Sequence, residues 1–203
     1  MLHVEPKYTL QEIVKAEGLD AASQSAYVID PNNRLVYCNP AWDEFAWANH
    51  GESAVAIRVL GSDVLAVCPE SLRFFYAQLF QYCRKTNSSS FHGYHCSSPT
   101  RLRVFKMDVK CTGEFLAISN TLLEDAPHPG PAISFSQDYV HFGITTMCSN
   151  CRRVRNVKNN RWDWVPTLID TSEFLRLSHG LCHNCSQFYY GNEFLLRAQH
   201  LQS

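Results

Sequence analysis

Hydrophobic and polar positions in the first part of the chain predict a helix, a hairpin and a second helix. Residues 9–17 predict a short helix that ends before Gly18. Residues 25–30 (SAYVID) and 34–39 (RLVYCN) are rich in β-branched and aromatic residues, and Pro-Asn-Asn separates them, which indicates two paired strands. Pro40 suits the first turn of the helix that follows.

A longer helix and three strands are predicted next. Between residues 71 and 84, apolar side chains recur at offsets of 3, 4, 7, 8 and 11 positions, which is typical of one face of a helix. The segments 90–96, 101–111 and 113–120 then follow as strands, and the second alternates apolar and charged residues. Because these strands follow one another directly, we expect an α+β fold with a five-stranded antiparallel sheet and helices on one face.

A stretch rich in proline, residues 124–138, separates two patterned regions and is typical of a linker. We therefore expect four parts along the chain. They are an N-terminal helix in 1–20, a domain over 21–124, a linker over 125–138 and a smaller module over 139–203 that ends in a helix.

The order of these elements, and two stretches of sequence, resemble PAS sensor domains. Residues 26–46 (AYVIDPNNRLVYCNPAWDEFA) are similar to the opening of PAS domains, and residues 93–111 (GYHCSSPTRLRVFKMDVKC) are similar to a subgroup of bacterial PAS domains. The resemblance covers about residues 20–122. It implies a sensory or dimerising module with a cavity between sheet and helices, but it specifies no ligand. The flavin motif of PAS photoreceptors is absent.

The residues that we expect near such a cavity are His95, Cys96, Phe105 and Met107. A haem in such a cavity would need an axial ligand, most often a histidine. A histidine on the surface or packed in the core explains the histidines of this region without a haem. Cysteines in this region are otherwise expected to be small buried hydrophobic residues.

Composition and charge narrow the range of functions. The 203 residues carry a formal net charge of -1, so the chain as a whole is not built to bind polyanions. It has no run of about 18 apolar residues, so we expect no membrane-spanning segment. The N-terminus is not typical of a signal peptide, and we expect a cytoplasmic protein with reduced thiols. Nine cysteines at irregular spacing favour metal binding or burial over a disulfide framework.

Four of the cysteines form two pairs, each with two intervening residues. Cys148 and Cys151 form the first pair, and thirty residues separate it from Cys182 and Cys185. This pattern is typical of a tetrahedral site with four thiolates. Zinc and iron both accept such a site. We favour zinc, with iron as the alternative, because arginine and serine follow the pairs where iron knuckles usually carry glycine.

Residues 147–185 resemble a cysteine motif found after PAS, GAF or receiver domains in bacterial signalling proteins. The matching parts are MCSNCRRVRN, WDWVP and LSHGLCHNC. Around such a centre we expect Trp162 and Trp164 to exclude water, His179 to donate to a thiolate or a backbone carbonyl, and Arg152 to offset negative charge. Between the pairs, residues 170–177 predict a capped helix.

Together these features predict a non-enzymatic signalling protein. A PAS domain would sense a signal or dimerise, and a structural zinc module would present a surface to a partner protein. We expect a homodimer formed through the N-terminal helix. The basic residues between 152 and 161 leave open a nucleic-acid-binding regulator, although charge balance at the metal is the favoured explanation for them. A thiol-based redox sensor that releases zinc and an iron electron carrier also stay open.

Overall fold

The computed structural model describes residues 8–98, 101–127, 132–168 and 176–191. The chain divides into two compact units that alternate along the sequence. The first unit comprises Met1–Cys68, Tyr76–Gly93 and Lys106–Leu122, and the second comprises Pro69–Phe75, Tyr94–Phe105 and Leu123–Ser203.

Up to residue 127 the described residues form helices and strands in the predicted order, whereas the five strands observed after it were not predicted. The helices are α1 (Leu10–Ala16), α2 (Pro40–Ala48), α3 (Ala56–Val59), α4 (Val64–Val67), α5 (Glu70–Thr86) and α6 (His183–Tyr190). The strands are β1 (Ser25–Ile29), β2 (Leu35–Cys38), β3 (Ser90–His95), β4 (Arg101–Thr112), β5 (Phe115–Pro127), β6 (Val140–His141), β7 (Ile144–Cys148), β8 (Val154–Arg155), β9 (Trp162–Asp163) and β10 (Arg176–Gly180). None of the helices in the described part of the chain is both long and apolar enough to cross a bilayer.

The first five strands form one sheet in the order β2-β1-β5-β4-β3. Strand β1 pairs antiparallel with both β2 and β5, with Tyr27 opposite Cys38 and Ser25 opposite Asn120. The predicted α+β fold, with a five-stranded sheet and flanking helices, is confirmed. Strand β5 continues to Pro127, so extended structure reaches into the stretch predicted as a linker.

Helix α1 begins where its sequence predicts. Thr9 caps the helix: its side chain accepts from the backbone N–H of Glu12, and the Glu12 carboxylate accepts from the backbone N–H of Thr9 at 2.8 Å. The helix ends before Gly18, which adopts a left-handed φ of 62°. Its apolar side chains Ile13 and Val14 are buried.

The helices of the first unit cover both faces of β1, so the expectation of helices on one face is wrong. Neighbouring residues of a strand point to opposite faces. Val28 packs in one buried cluster with Ile13 of α1, whereas Tyr27 meets Trp42 of α2 edge to face, with ring centroids 5.3 Å apart. Because β1 is buried on both sides, its sequence shows no alternation that could reveal a second covered face.

The second unit contains a small sheet in the order β10-β7-β8-β9, and β6 pairs with β7. Strand β10 runs parallel to β7, whereas β8 is antiparallel to both β7 and β9. A buried cluster lies among its elements, formed by Tyr139, Val154, Val165 and Leu168.

Two predicted helices in the C-terminal part of the chain fall partly outside the described residues. In the predicted helix 170–177, residues 170–175 lie outside the described residues, and the last two belong to strand β10 instead. Their pairing with β7 outweighs their local helical pattern. The predicted C-terminal helix is observed as α6, and residues 192–203 lie outside the described part.

Candidate metal centre

The parallel pairing of β7 and β10 brings the two cysteine pairs together. Cys148 ends β7, and Gly180 lies opposite it at the end of β10. The backbone N–H of Ser149 donates to the carbonyl of Gly180 at 2.8 Å, which holds the strand ends in register. Two residues after Gly180, the chain reaches Cys182, which is the N-cap of α6. The turn after β7 and the start of α6 thus face each other.

The four cysteines converge on one small volume. Their Sγ atoms all lie within 4.8 Å of one another, and all four side chains are buried. Cys151 Sγ and Cys182 Sγ are 3.7 Å apart, far longer than a disulfide bond of about 2.05 Å, and none of the four forms a disulfide. A tetrahedral zinc ion with Zn–S distances of about 2.3 Å would place its sulfurs about 3.8 Å apart. The cluster therefore fits a metal ion bound by four thiolates.

Hydrogen-bond donors point at two of the sulfurs. The backbone N–H of Cys182 donates to Cys148 Sγ at 3.4 Å, and the Asn150 side-chain amide donates to Cys185 Sγ at 3.2 Å. Such donors stabilise a thiolate over a thiol, and they complete a metal site by fixing its ligands. The site is thus suited to negatively charged sulfur.

The cysteines also influence each other's ionisation. Hydrogen bonds from the thiols of Cys151, Cys182 and Cys185 lower the pKa of Cys148. The pKa of Cys151 is raised because its proton is shared with Cys148 and the other sulfurs. The cluster therefore favours at least one thiolate, which is the species that binds a metal.

Asn150 connects the centre to its surroundings and is a residue that the sequence analysis did not single out. It is buried, and its side-chain oxygen accepts from the backbone N–H of His95 at 3.1 Å and from the Tyr189 hydroxyl at 3.0 Å. Tyr189 is fully buried in α6 and meets Phe75 edge to face at 4.9 Å. The only available signal was a polar amide between two cysteines, and its partners are distant in sequence.

Four further residues were predicted near the metal, and the structure places them in different surroundings. They are Arg152, Trp162, Trp164 and His179. His179 is exposed on β10, opposite Met147, and does not belong to the sulfur cluster. Trp162 is half-buried in β9, and Trp164 lines a small cavity together with Arg152. The buried cluster of the module consists of other residues, with Tyr139 and Leu168 among them.

The four residues predicted near a sensor cavity differ in burial. Phe105 and Met107 are buried on β4, and the ring of Phe105 stacks on that of Tyr94 with centroids 5.5 Å apart. His95 is half-buried, and burial and nearby Arg153 lower its pKa. Cys96 is exposed.

Comparison with known proteins gives structural similarities to PAS domains. No protein-family model and no curated protein matches the sequence. The PAS domain of nitrogen regulation protein NR(II) from Vibrio parahaemolyticus is 13% identical, with a TM-score of 0.36 over 57% of this chain and 100% of that domain. The PAS domain of Bordetella pertussis BvgS is 16% identical, with a TM-score of 0.37 over 56% of this chain and 82% of that one. A PAS domain from a two-component sensor histidine kinase is 12% identical, with a TM-score of 0.37 over 56% of this chain and 96% of that domain.

Proposed function

We propose that the chain is a non-enzymatic signalling protein. Its PAS-like part senses a signal or dimerises, and its four-cysteine module, stabilised by zinc, presents a surface to a partner protein. The observation that carries the proposal is the closed cluster of four buried thiols. Four protein ligands fill a tetrahedral ion, so no position is left for the water or substrate of a catalytic zinc.

A structural role for the metal follows from how its ligands are held. One pair comes from the turn after β7 and the other from the start of α6, so a single ion would tie together segments about thirty residues apart. The apolar cluster beside them is small. Small modules of this kind usually need a metal to fold.

Hydrogen exchange of the full chain tests this role. When zinc is removed with a chelator, we expect amide protection to be lost over residues 140–168 and 176–190 and retained in β1. Cys148→Ser should lose the same protection, whereas Cys111→Ser, a half-buried cysteine of β4, should keep it. Unchanged protection after metal removal would show that the metal is not structural.

The partner role is tested by affinity capture from the extract of the source cell. The zinc-loaded chain should retain a specific protein that the Cys148→Ser chain does not retain. An identical set of retained proteins in both cases would contradict presentation of a surface by the metal module.

A second candidate, a nucleic-acid-binding regulator, is favoured by basic residues at the end of β8 and in the turn between β8 and β9. Arg155, Lys158 and Arg161 are all exposed there, and the Arg155 guanidinium is oriented by a 2.9 Å hydrogen bond to Asn160. If they contact phosphates, affinity for double-stranded DNA should fall by orders of magnitude from 50 to 200 mM salt, and Lys158→Gln should reduce the slope of log affinity against log salt by about one. Absence of binding at low salt would remove this candidate.

A further inference from the structure

A cavity of about 220 Å³ lies in the second unit, and none of the four clustered cysteines lines it. Most of its wall is apolar, and its polar side chains are few. The lining residues are Ser97, Ser98, Met147, Arg152, Val154, Trp164, Val165, Pro166 and Leu168. The volume is smaller than the roughly 300–1,000 Å³ of pockets for drug-sized ligands, so a fitting molecule would be small.

All three polar side chains of the cavity can donate hydrogen bonds. The Ser97 hydroxyl oxygen accepts from the backbone N–H of Arg103 at 3.2 Å, and that of Ser98 accepts from the backbone N–H of Arg101 at 3.2 Å. Because each oxygen is engaged as an acceptor, each hydroxyl keeps its proton for a ligand. The third polar group is the Arg152 guanidinium, which can only donate. None of the described lining residues carries a carboxylate.

The Arg152 side chain has no carboxylate partner among the described residues. Within the described residues, no ion pair includes the Arg152 side chain. A cation beside an apolar wall that includes an indole ring favours an anion with an apolar body over a purely polar anion.

The backbone of Arg152 supports a function for its side chain. Arg152 has a φ of 63°, in the left-handed region where glycine is favoured. It directly follows the second cysteine of its pair, so glycine at this position would relieve the strain without changing a ligand. Strained positions of this kind cluster at functional sites.

We propose that this cavity binds a small monocarboxylate with an apolar body, of about the size of benzoate. The carboxylate accepts from the Arg152 guanidinium and from the serine hydroxyls, and the apolar body lies against Trp164, Met147 and Leu168. The lining of this site includes none of the four cysteines proposed to bind the metal. The four-cysteine module would then bind a small-molecule ligand of its own.

Calorimetric titration of the zinc-loaded full chain tests the proposal, with benzoate and phenylacetate as probes and benzamide as the neutral analogue of benzoate. We expect at least one carboxylate to bind, and benzoate or phenylacetate to bind roughly tenfold or more tightly than benzamide, because charge-assisted hydrogen bonds are the stronger ones. NMR shifts should be largest for the Trp164 indole N–H and the Met147 methyl group.

Variants of Arg152 separate the cavity from the general basic charge. Arg152→Gln and Arg152→Gly should both abolish the preference for the carboxylate. The glycine variant guards against misfolding because glycine tolerates the left-handed backbone, and the zinc content of both is measured. Arg155→Gln, which removes an exposed arginine outside the cavity, should leave binding unchanged. Equal affinity for benzamide, equal loss in Arg155→Gln, or no binding of either carboxylate at 10 mM would overturn the proposal.

Discussion

At the scale of single residues, Asn39 joins the first hairpin to the helix that follows. It is almost fully buried, at 1% exposure. Its side-chain oxygen accepts from the backbone N–H groups of Ala26 and Trp42 at 2.9 and 3.0 Å. Its amide nitrogen donates to three backbone carbonyls in the segment before β1. One side chain thus forms hydrogen bonds with five backbone groups, of which one lies in β1 and one in the first turn of α2.

We expect Asn39→Ala to lower the free energy of unfolding by about 2–4 kcal/mol, because it leaves several buried backbone groups without partners. Urea denaturation of the zinc-loaded chain measures the change. Asn32→Ala is the control, since Asn32 is exposed in the turn between β1 and β2, where its backbone N–H donates to Asp30. Equal stability of the two variants would contradict this role for Asn39.

His92 should make stability depend on pH. It is buried in β3 beside the ring of Tyr76, and burial lowers its pKa to about 4 from an ordinary value of 6.5. The folded state therefore keeps His92 neutral over a range in which the unfolded chain binds a proton. Stability that is fully present above pH 6.5 is lost progressively as the pH falls towards 4, by up to about 3 kcal/mol.

The contribution of His92 is isolated by comparing variants, since protonation of the metal ligands also acts at low pH. His92→Gln should reduce the loss of unfolding free energy between pH 6.5 and 4.5. His141→Gln, at an exposed position of β6, should leave the slope unchanged. If His92→Gln has the slope of the parent chain, His92 is not the group responsible.

At the scale of elements, helix α5 ends in a side chain that ties two loops together. The Arg84 guanidinium donates to the Asp30 carbonyl at 2.7 Å, to the Asn33 side chain at 2.8 Å and to the Glu114 carbonyl at 3.2 Å. The first two acceptors lie in the loop between β1 and β2, and the third lies in the turn between β4 and β5. Its planar donor groups reach all three acceptors at once.

Arg84→Lys should lower the free energy of unfolding by about 1–2 kcal/mol, although it keeps the charge, because an ammonium group cannot reproduce three contacts in this geometry. Lys85→Arg, at the next position of the same helix, is the matched control. Thermal unfolding measures both. A parent-like melting temperature for Arg84→Lys would show that the charge alone matters.

Local patterns explain which elements were predictable. The cap at Thr9, the turn that ends with Asn33 at a φ of 59° and the apolar face of α5 are all encoded by neighbouring residues. The cysteine pairs are equally local, because two thiols three positions apart restrict the chemistry by themselves. These features could be predicted because their partners lie nearby in sequence.

Non-local pairing explains what could not be predicted. Strand β10 pairs with β7 across about thirty residues, and its sequence shows no regular alternation. Asn150 finds its partners His95 and Tyr189 at separations of 55 and 39 residues. Such pairings form only in the folded chain, and neighbouring residues give no local signal for them.

At the scale of the whole molecule, the two compact units share single elements of secondary structure. Helix α5 contributes its first residues, to Phe75, to the second unit and its remainder to the first. Strand β4 is divided in the same way after Phe105. The four-cysteine cluster therefore belongs to a unit that draws its residues from three separate stretches of the chain. The homodimer and the cytoplasmic location stay predictions.

The most direct test of the account is metal analysis of the purified full chain together with its absorption spectrum. We predict one zinc ion per chain, no visible band, and loss of the ion in Cys148→Ser and Cys185→Ser but not in Cys38→Ser, a half-buried cysteine of β2. A coloured protein with stoichiometric iron would contradict zinc. A metal-free protein with these cysteines in disulfides, or one that keeps its ion in both ligand variants, would contradict the four-thiolate centre itself.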